Sequence, residues 1–508
     1  MESRSKKSAR NILSGVICKL LLMIMAFATK TIFIRLLGVE YNGINGLYSN
    51  ILSILALSEL GVGNVLTFSL YNALRKNDQL KVCSLVNYFK KIYGIIAGAI
   101  LGIGITLIPF LNYIVNSNIA QNEVIIYYLL YLLNSSISYI AVYKTTVIIA
   151  DQNGYISNVC DAVLTFMMYG MQIVYLLVFH DFLGYLIIQL ICTIGKNLLL
   201  SMVADRLYPY LKEMKPNKNL VEKNQIFTNI KATFIYKISG VILNNTDNIL
   251  ISIIVGTVYV GYYSNYYMIL SYIVALIGIF ITGFMASLGN LNAEDNMKSS
   301  YAMFNILLLI FSFIGAIIAC CFTNCMQPFV ALWLGKKNVM PFIWVIVIVF
   351  NIYLEEIMNP VWIFRETMGL FQQVKYLMLI TAGLNLFLSI VFGNWWGVPG
   401  ILIATSISKI LSQYWYEPRL LFKEKFKCNS VKNFFTFQIK QAMACLIAIM
   451  LSYTLCGFIG TGLVGIIFRA IISCMTAFVC VLYFNFNSTA WKDLCVRYIR
   501  PYLQKIKR

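Results

Sequence analysis

Charge is what this chain has least of. Only 12% of its 508 residues are Asp, Glu, Lys or Arg, and acidic residues number 20 in all. Soluble domains carry roughly 25% charged residues, so a water-soluble globular protein is excluded. Histidine occurs once, at His180 near a predicted helix end, which excludes a histidine-rich metal site and a histidine-based catalytic triad. The thirteen cysteines are scattered through apolar segments without a Cys-x-x-Cys pair, and Cys320, Cys321 and Cys325 form their one cluster. They read as small buried hydrophobes rather than a disulfide framework or a metal site. No loop is long enough for a soluble catalytic domain, so no enzyme chemistry is expected.

What remains is apolar: 60% of the residues are hydrophobic, in recurrent runs of 20 or more. Each such run can cross a hydrocarbon core of about 30 Å. The pattern predicts an all-α polytopic membrane protein of about fourteen transmembrane helices. They fall near 11–37, 44–73, 92–115, 122–149, 155–180, 182–204, 226–255, 258–289, 301–330, 341–364, 374–396, 398–421, 434–458 and 463–487. The first run carries Lys19 and Lys30 and lacks a small-x-small cleavage site, so it is expected to stay as a membrane helix.

The net charge of +20 is concentrated at one membrane face. Basic groups fall at Arg4–Arg10, Arg75–Lys91, Arg206–Lys223, Arg419–Lys432 and Lys492–Arg508, while the opposite loops hold little beyond Lys336 and Lys337. Such asymmetry places both termini in the cytoplasm of a plasma-membrane protein. It also explains the basic balance without nucleic acid.

The sequence is internally repeated. A shift of 218 positions carries Asn11-Ile12 onto Asn229-Ile230 and Lys19 onto Lys237. The same shift carries Gly38-x-x-Tyr41-x-Gly43 onto Gly256-x-x-Tyr259-x-Gly261, and Tyr48 onto Tyr266. Gly184-Tyr-Leu-Ile-Ile-Gln echoes Gly400-Ile-Leu-Ile-Ala-Thr at nearly the same offset. Both halves start on the cytoplasmic side, so the repeat is parallel, with an axis along the membrane normal. The expected organisation is a six-helix bundle over 1–204, a linker over 205–225, a second six-helix bundle over 226–421, and two extra helices with a basic tail over 422–508.

Intramembrane ionisable groups are expensive and mark function. At 100° per residue Lys19 and Lys30 lie within about 20° of one face of the first predicted helix. Lys237, Asn244 and Asn248 share a face of the seventh, with Asp247 beside them. Lys19, Lys30 and Lys237 are therefore candidate substrate-binding cations of a wet cavity, and Asn244 and Asn248 its polar face. Lys30 and Arg35 are also placed to snorkel to the outer interface. Glu59, in the segment Ser58–Gly63 (SELGVG), has three readings: an ion-pair partner for Lys19 or Lys30, a proton or cation site, or a polar interhelix contact. Asp247 has the first two. Gly61 and Gly63 weaken the helix behind Glu59. Glu355, Glu356 and Arg365 read as a boundary network. Excess positive charge in a cavity points to an anionic substrate.

Residues Phe33–Leu52 (FIRLLGVEYNGINGLYSNIL), with Ser58–Gly63, resemble the Wzx-type flippases of polysaccharide repeat units (O-antigen and capsule). These belong to the superfamily shared with MATE exporters and lipid II flippases. Asp151–Tyr155 and Gly397–Leu402 are similar to that family as well, and the resemblance spans about the first 420 residues. It implies two six-helix bundles arranged in a V around a cavity. It also implies an alternating-access flippase that moves an undecaprenyl-diphosphate-linked oligosaccharide across a bacterial plasma membrane for surface polysaccharide biosynthesis. The matching cavity cations are Lys19, Lys30 and Lys237. No basic residue occupies the core of the second or eighth predicted helix, and two helices beyond the usual twelve depart from the Wzx pattern. No cofactor is implied, but coupling to protons or sodium through Glu59 or Asp247 is. Membrane lipids and other polysaccharide-assembly proteins are the expected partners. A MATE-like cation-coupled exporter of small molecules is the alternative; it would call for more intramembrane acid than base.

Overall fold

The computed structural model describes residues 4–59, 61–293, 297–427 and 430–496, and among them every regular element is a helix. The long elements are α1 (Arg4–Leu37), α2 (Val39–Leu55), α3 (Val62–Arg75), α4 (Gln79–Thr106), α5 (Gln121–Ser138), α6 (Val142–Ala150), α7 (Gly154–Phe179), α8 (Phe182–Leu207) and α9 (Lys223–Ile254). They continue with α10 (Thr257–Ala293), α11 (Met297–Leu334), α12 (Phe342–Thr367), α13 (Phe371–Trp396), α14 (Val398–Leu411), α15 (Gln413–Glu424), α16 (Val431–Gly457) and α17 (Leu463–Asn485). Each of the fourteen expected spans has helical counterparts. Nine helices among the described residues are long and apolar enough to cross a membrane, or ten if α5 and α6, bent by 43°, form one span.

Two of the expected spans break for local reasons. The second expected span breaks: a 3-10 turn over Ala56–Glu59 follows α2, and Gly61 caps α3 at φ +93°. That backbone region is open to glycine at little cost. The twelfth breaks at Ser412, whose hydroxyl bonds Ser408 O at 2.6 Å and meets Thr381 Oγ1 at 2.7 Å.

The chain divides into two compact units, Met1–Ser264 and Asn265–Arg508. In the first, α1 packs along α7, α5 and α7 along α8, and α2 along α9. An edge-to-face cluster of Phe33, Tyr41, Tyr127 and Phe182 joins the end of α1, the start of α2, α5 and the start of α8. In the second, α11 packs on α12, α16 and α17, and α13 on α14. The two C-terminal helices are fastened by polar contacts. The Asn324 amide donates to Ser452 and Ser473 hydroxyls at 2.9 and 3.0 Å, and Gln441 and Asn485 exchange amide bonds. Arg469 donates to three backbone carbonyls, of Ile459, Gly460 and Asn324. In lipid, where water cannot satisfy such groups, these bonds hold a helix pair that apolar burial alone would not order.

The repeat is visible in the coordinates of the first unit. A Cβ on Gly43 would lie 2.1 Å from Thr257 O, and one on Gly261 would lie 2.1 Å from Val39 O. Gly43 and Gly261 are repeat equivalents, as are Val39 and Thr257, so the contact is reciprocal. Gly46 faces its own equivalent, Ser264, with 2.6 Å between the built Cβ and Oγ. Advancing from residue 43 to 46 advances the partner from 257 and 261 to 260 and 264. The N-terminal turns of α2 and α10 thus run the same way, as an axis along the helices requires. Gly38 and Gly256, equivalent again, turn the chain into these helices at φ +94° and +134°.

Candidate functional site

The site is built on α1 because that helix carries two lysines along one stripe. Lys30 donates its ammonium to the Asn42 side-chain oxygen, and Asn42 Nδ2 donates to Gly261 O at 2.8 Å. Asn42 is fully buried. The close approach of the glycine pair brings the Gly261 carbonyl within its reach, so α1, α2 and the start of α10 are joined at one polar point. An ammonium has three donors and the Asn42 oxygen takes one, so two N–H groups of Lys30 remain for another ligand. Lys19 lies eleven residues earlier on α1 and is exposed. Neither lysine meets a carboxylate among the described residues.

Other cations on the helices do meet one. Lys144 on α6 lies 2.7 Å from Asp205 on α8, which also takes Lys212 at 3.0 Å. Lys196 pairs with Asp161 between α8 and α7. Lys409 on α14 lies 2.5 Å from Glu355, and Arg365 holds both oxygens of Glu417 at 2.9 and 3.0 Å. Glu355 and Arg365, expected in one boundary network, instead take separate partners, Lys409 and Glu417. Glu356 stands apart from both pairs and accepts from Asn359 at 3.0 Å. The sequence signal for these pairs was an acid and a base on neighbouring predicted spans, but periodicity alone does not say which helices touch.

Glu59 is half-buried at the break before α3, close to the Tyr93 and Tyr139 side chains. It is not brought to Lys19 or Lys30. Asn248 on α9, at the repeat position of Lys30, is 8% exposed, and its Oδ1 is buried with no hydrogen-bond partner among the described residues. Asp247 beside it is half-buried. Lys237 and Asn244 lie on α9, but their side chains fall outside the described residues. No cluster of three or more His, Cys, Asp or Glu residues among the described residues could hold a metal ion.

No protein-family model matches the chain, and no curated protein matches it. Solved structures do. The fold is that of the transporters of the MOP superfamily, and the matched proteins are membrane transporters and flippases rather than enzymes. The lipid II flippase MurJ, in an inward closed conformation, aligns with a TM-score of 0.68 at 15% identity, over 92% of this chain and 98% of that one. A multidrug resistance MATE family transporter of the MOP superfamily, inward-facing, aligns with a TM-score of 0.63 at 14% identity, over 80% and 96%. The Vibrio cholerae MATE transporter VcmN gives 0.54 at 14% identity, over 84% and 99%. The chain is thus a multi-pass membrane protein of MOP-type fold.

Proposed function

We propose that this protein is an alternating-access flippase. It moves an undecaprenyl-diphosphate-linked oligosaccharide from the inner to the outer leaflet of a bacterial plasma membrane, with both termini cytoplasmic. The observation that carries this reading is the unneutralised charge on α1. Lys19 and Lys30 meet no carboxylate among the described residues, while Lys144, Lys196, Arg365 and Lys409 each do. A membrane protein that neutralises its structural cations and leaves others bare has kept those for an anion. The diphosphate would lie against Lys19, Lys30 and Lys237, the sugars against polar groups such as Asn244 and Asn248, and the prenyl chain in lipid. An inside-negative potential favours outward movement of an anion by about 2.3 kcal/mol per charge per 100 mV. Glu59 and Asp247 are the places where a proton or sodium gradient would enter.

The likeness to a lipid II flippase over 92% of the chain favours a lipid-linked cargo. The second reading, an exporter of small molecules, is favoured by the multidrug transporters that share the fold. The test is the double variant Lys19→Ala/Lys237→Ala in the native host, read by surface polysaccharide and protein level. Loss of export at normal protein level is expected. Normal export would overturn the site, and drug sensitivity with intact polysaccharide would favour the exporter.

A further inference from the structure

Between α8 and α9 the chain passes through a short linker that lies against the first half of α4. Cys83 Sγ donates to Met214 O at 3.3 Å, and Asn217 N donates to Ser84 Oγ at 2.9 Å. Buried Tyr208 donates to Asp151 at 2.9 Å, and Val221 is buried as well. Burial, with the Asp151 carboxylate next, pushes the phenol of Tyr210 up to about 12. The linker is therefore a docked strap, and it roofs two cavities. One contains Lys81 and Glu222, which lie 3.5 Å apart and neutralise each other.

The other, of about 240 Å³, differs in charge. Asn87, Tyr88 and Lys91 line it from one face of α4, at the three- and four-residue spacing of a helix, and Lys223 faces them from the start of α9. Pro216 and Val221 of the strap supply apolar walls. No acidic side chain lines it among the described residues. The Asn87 amide, the Tyr88 hydroxyl and both ammonium groups make no hydrogen bond or ion pair among the described residues. Two bare, exposed cations and two neutral hydrogen-bonding groups converge on one open cleft with an apolar wall.

We propose that this cavity is a binding site for a phosphate-bearing anion. Lys91 and Lys223 would hold the phosphate oxygens, Asn87 and Tyr88 would donate to them, and Pro216 and Val221 would take an apolar neighbour such as the glycerol of a phospholipid headgroup. Basic pockets beside membrane helices on the positive side of a protein take such headgroups, and each lysine near an anionic surface strengthens attraction. Occupancy would bridge α4 and α9 under the strap. The site is separate from Lys19, Lys30 and Lys237 and stands whether or not the chain is a flippase.

Native mass spectrometry of the purified full chain tests this with three probes: short-chain phosphatidylglycerol, the matching phosphatidylcholine, and glycerol phosphate. One molecule of phosphatidylglycerol or glycerol phosphate should bind, and Lys91→Gln/Lys223→Gln should weaken it by about thirtyfold, the loss of two charge contacts. Lys91→Arg/Lys223→Arg should retain binding, and Lys425→Gln/Lys432→Gln, in the other unit, should leave it unchanged. Saturation by glycerol phosphate alone assigns a soluble phosphate ester; binding only of phosphatidylglycerol assigns a membrane lipid. Equal binding of phosphatidylcholine, or equal binding by the glutamine variant at an unchanged melting temperature, would overturn the proposal.

Discussion

Gly43 and Gly261 hold equivalent positions in the two repeats and pack against each other's helices, each leaving no room for a Cβ beside the opposite backbone carbonyl. Alanine at either position must therefore separate α2 from α10. Overpacking of this kind costs about 1–3 kcal/mol, and here the neighbour is backbone that cannot rotate away. Gly43→Ala and Gly261→Ala should each lower the melting temperature of the detergent-purified protein. Gly94→Ala and Gly98→Ala on α4, where nothing lies within 4 Å, should be neutral or gain up to about 1 kcal/mol.

Removing Asn42 separates two roles of Lys30. Asn42→Leu deletes the acceptor and leaves a buried ammonium donor unmet, a loss of about 1–3 kcal/mol. Lys30→Met deletes the charge and keeps most of the bulk. If Lys30 serves an anionic cargo, Lys30→Met should abolish export with little change in melting temperature. Asn42→Leu should lower the melting temperature and export together.

The Arg365–Glu417 pair is 6% and 2% exposed and joined by two short bonds. Glu417→Gln leaves the buried guanidinium with only the half-exposed Glu366 as a carboxylate partner, which costs about 3 kcal/mol. Glu366, on the exposed side of the same arginine, should matter by less than about 1 kcal/mol when replaced by Gln. Thermal melts of the two variants check the contrast.

Arg469 ties the turn between α16 and α17 to α11 through three carbonyls. Arg469→Ala should loosen that end of the helix pair. Cys456, 1% exposed and bonded to the Arg469 carbonyl at 3.7 Å, then becomes the reporter. Maleimide labelling of Cys456, read by peptide mass spectrometry, should rise in the variant. Labelling of Cys83, in the other unit, should not change.

Helix positions were legible because apolar run length is a strong one-dimensional signal, and all fourteen expected spans have helical counterparts. The break near Glu59 was foreshadowed by Gly61 and Gly63, whereas nothing comparable announced the break at Ser412. Lys30 was read as sharing a face with Lys19, but Asn42 as its partner was not foreseen, since a neutral amide twelve residues away carries no charge signal. Glu59 is the complementary case. Charge alone suggested a lysine partner, whereas its neighbours are Tyr93 and Tyr139, a packing arrangement that no pattern of charges encodes. Lys144, Asp205, Lys409 and Glu417 were missed because pairing between distant segments depends on which helices become neighbours.

Gly46 and Ser264 show the freedom a protein gains by carrying two copies of itself in one polypeptide. In an assembly of identical subunits, a residue on the two-fold axis meets itself, so any substitution there changes both sides at once. Joining the copies end to end removes that restriction, since one member can change while its counterpart stays. Here a hydroxyl faces a bare backbone at a position where symmetry would demand two of the same. A contact that began under a rule of sameness has become a place where the two halves can be tuned apart, one residue at a time.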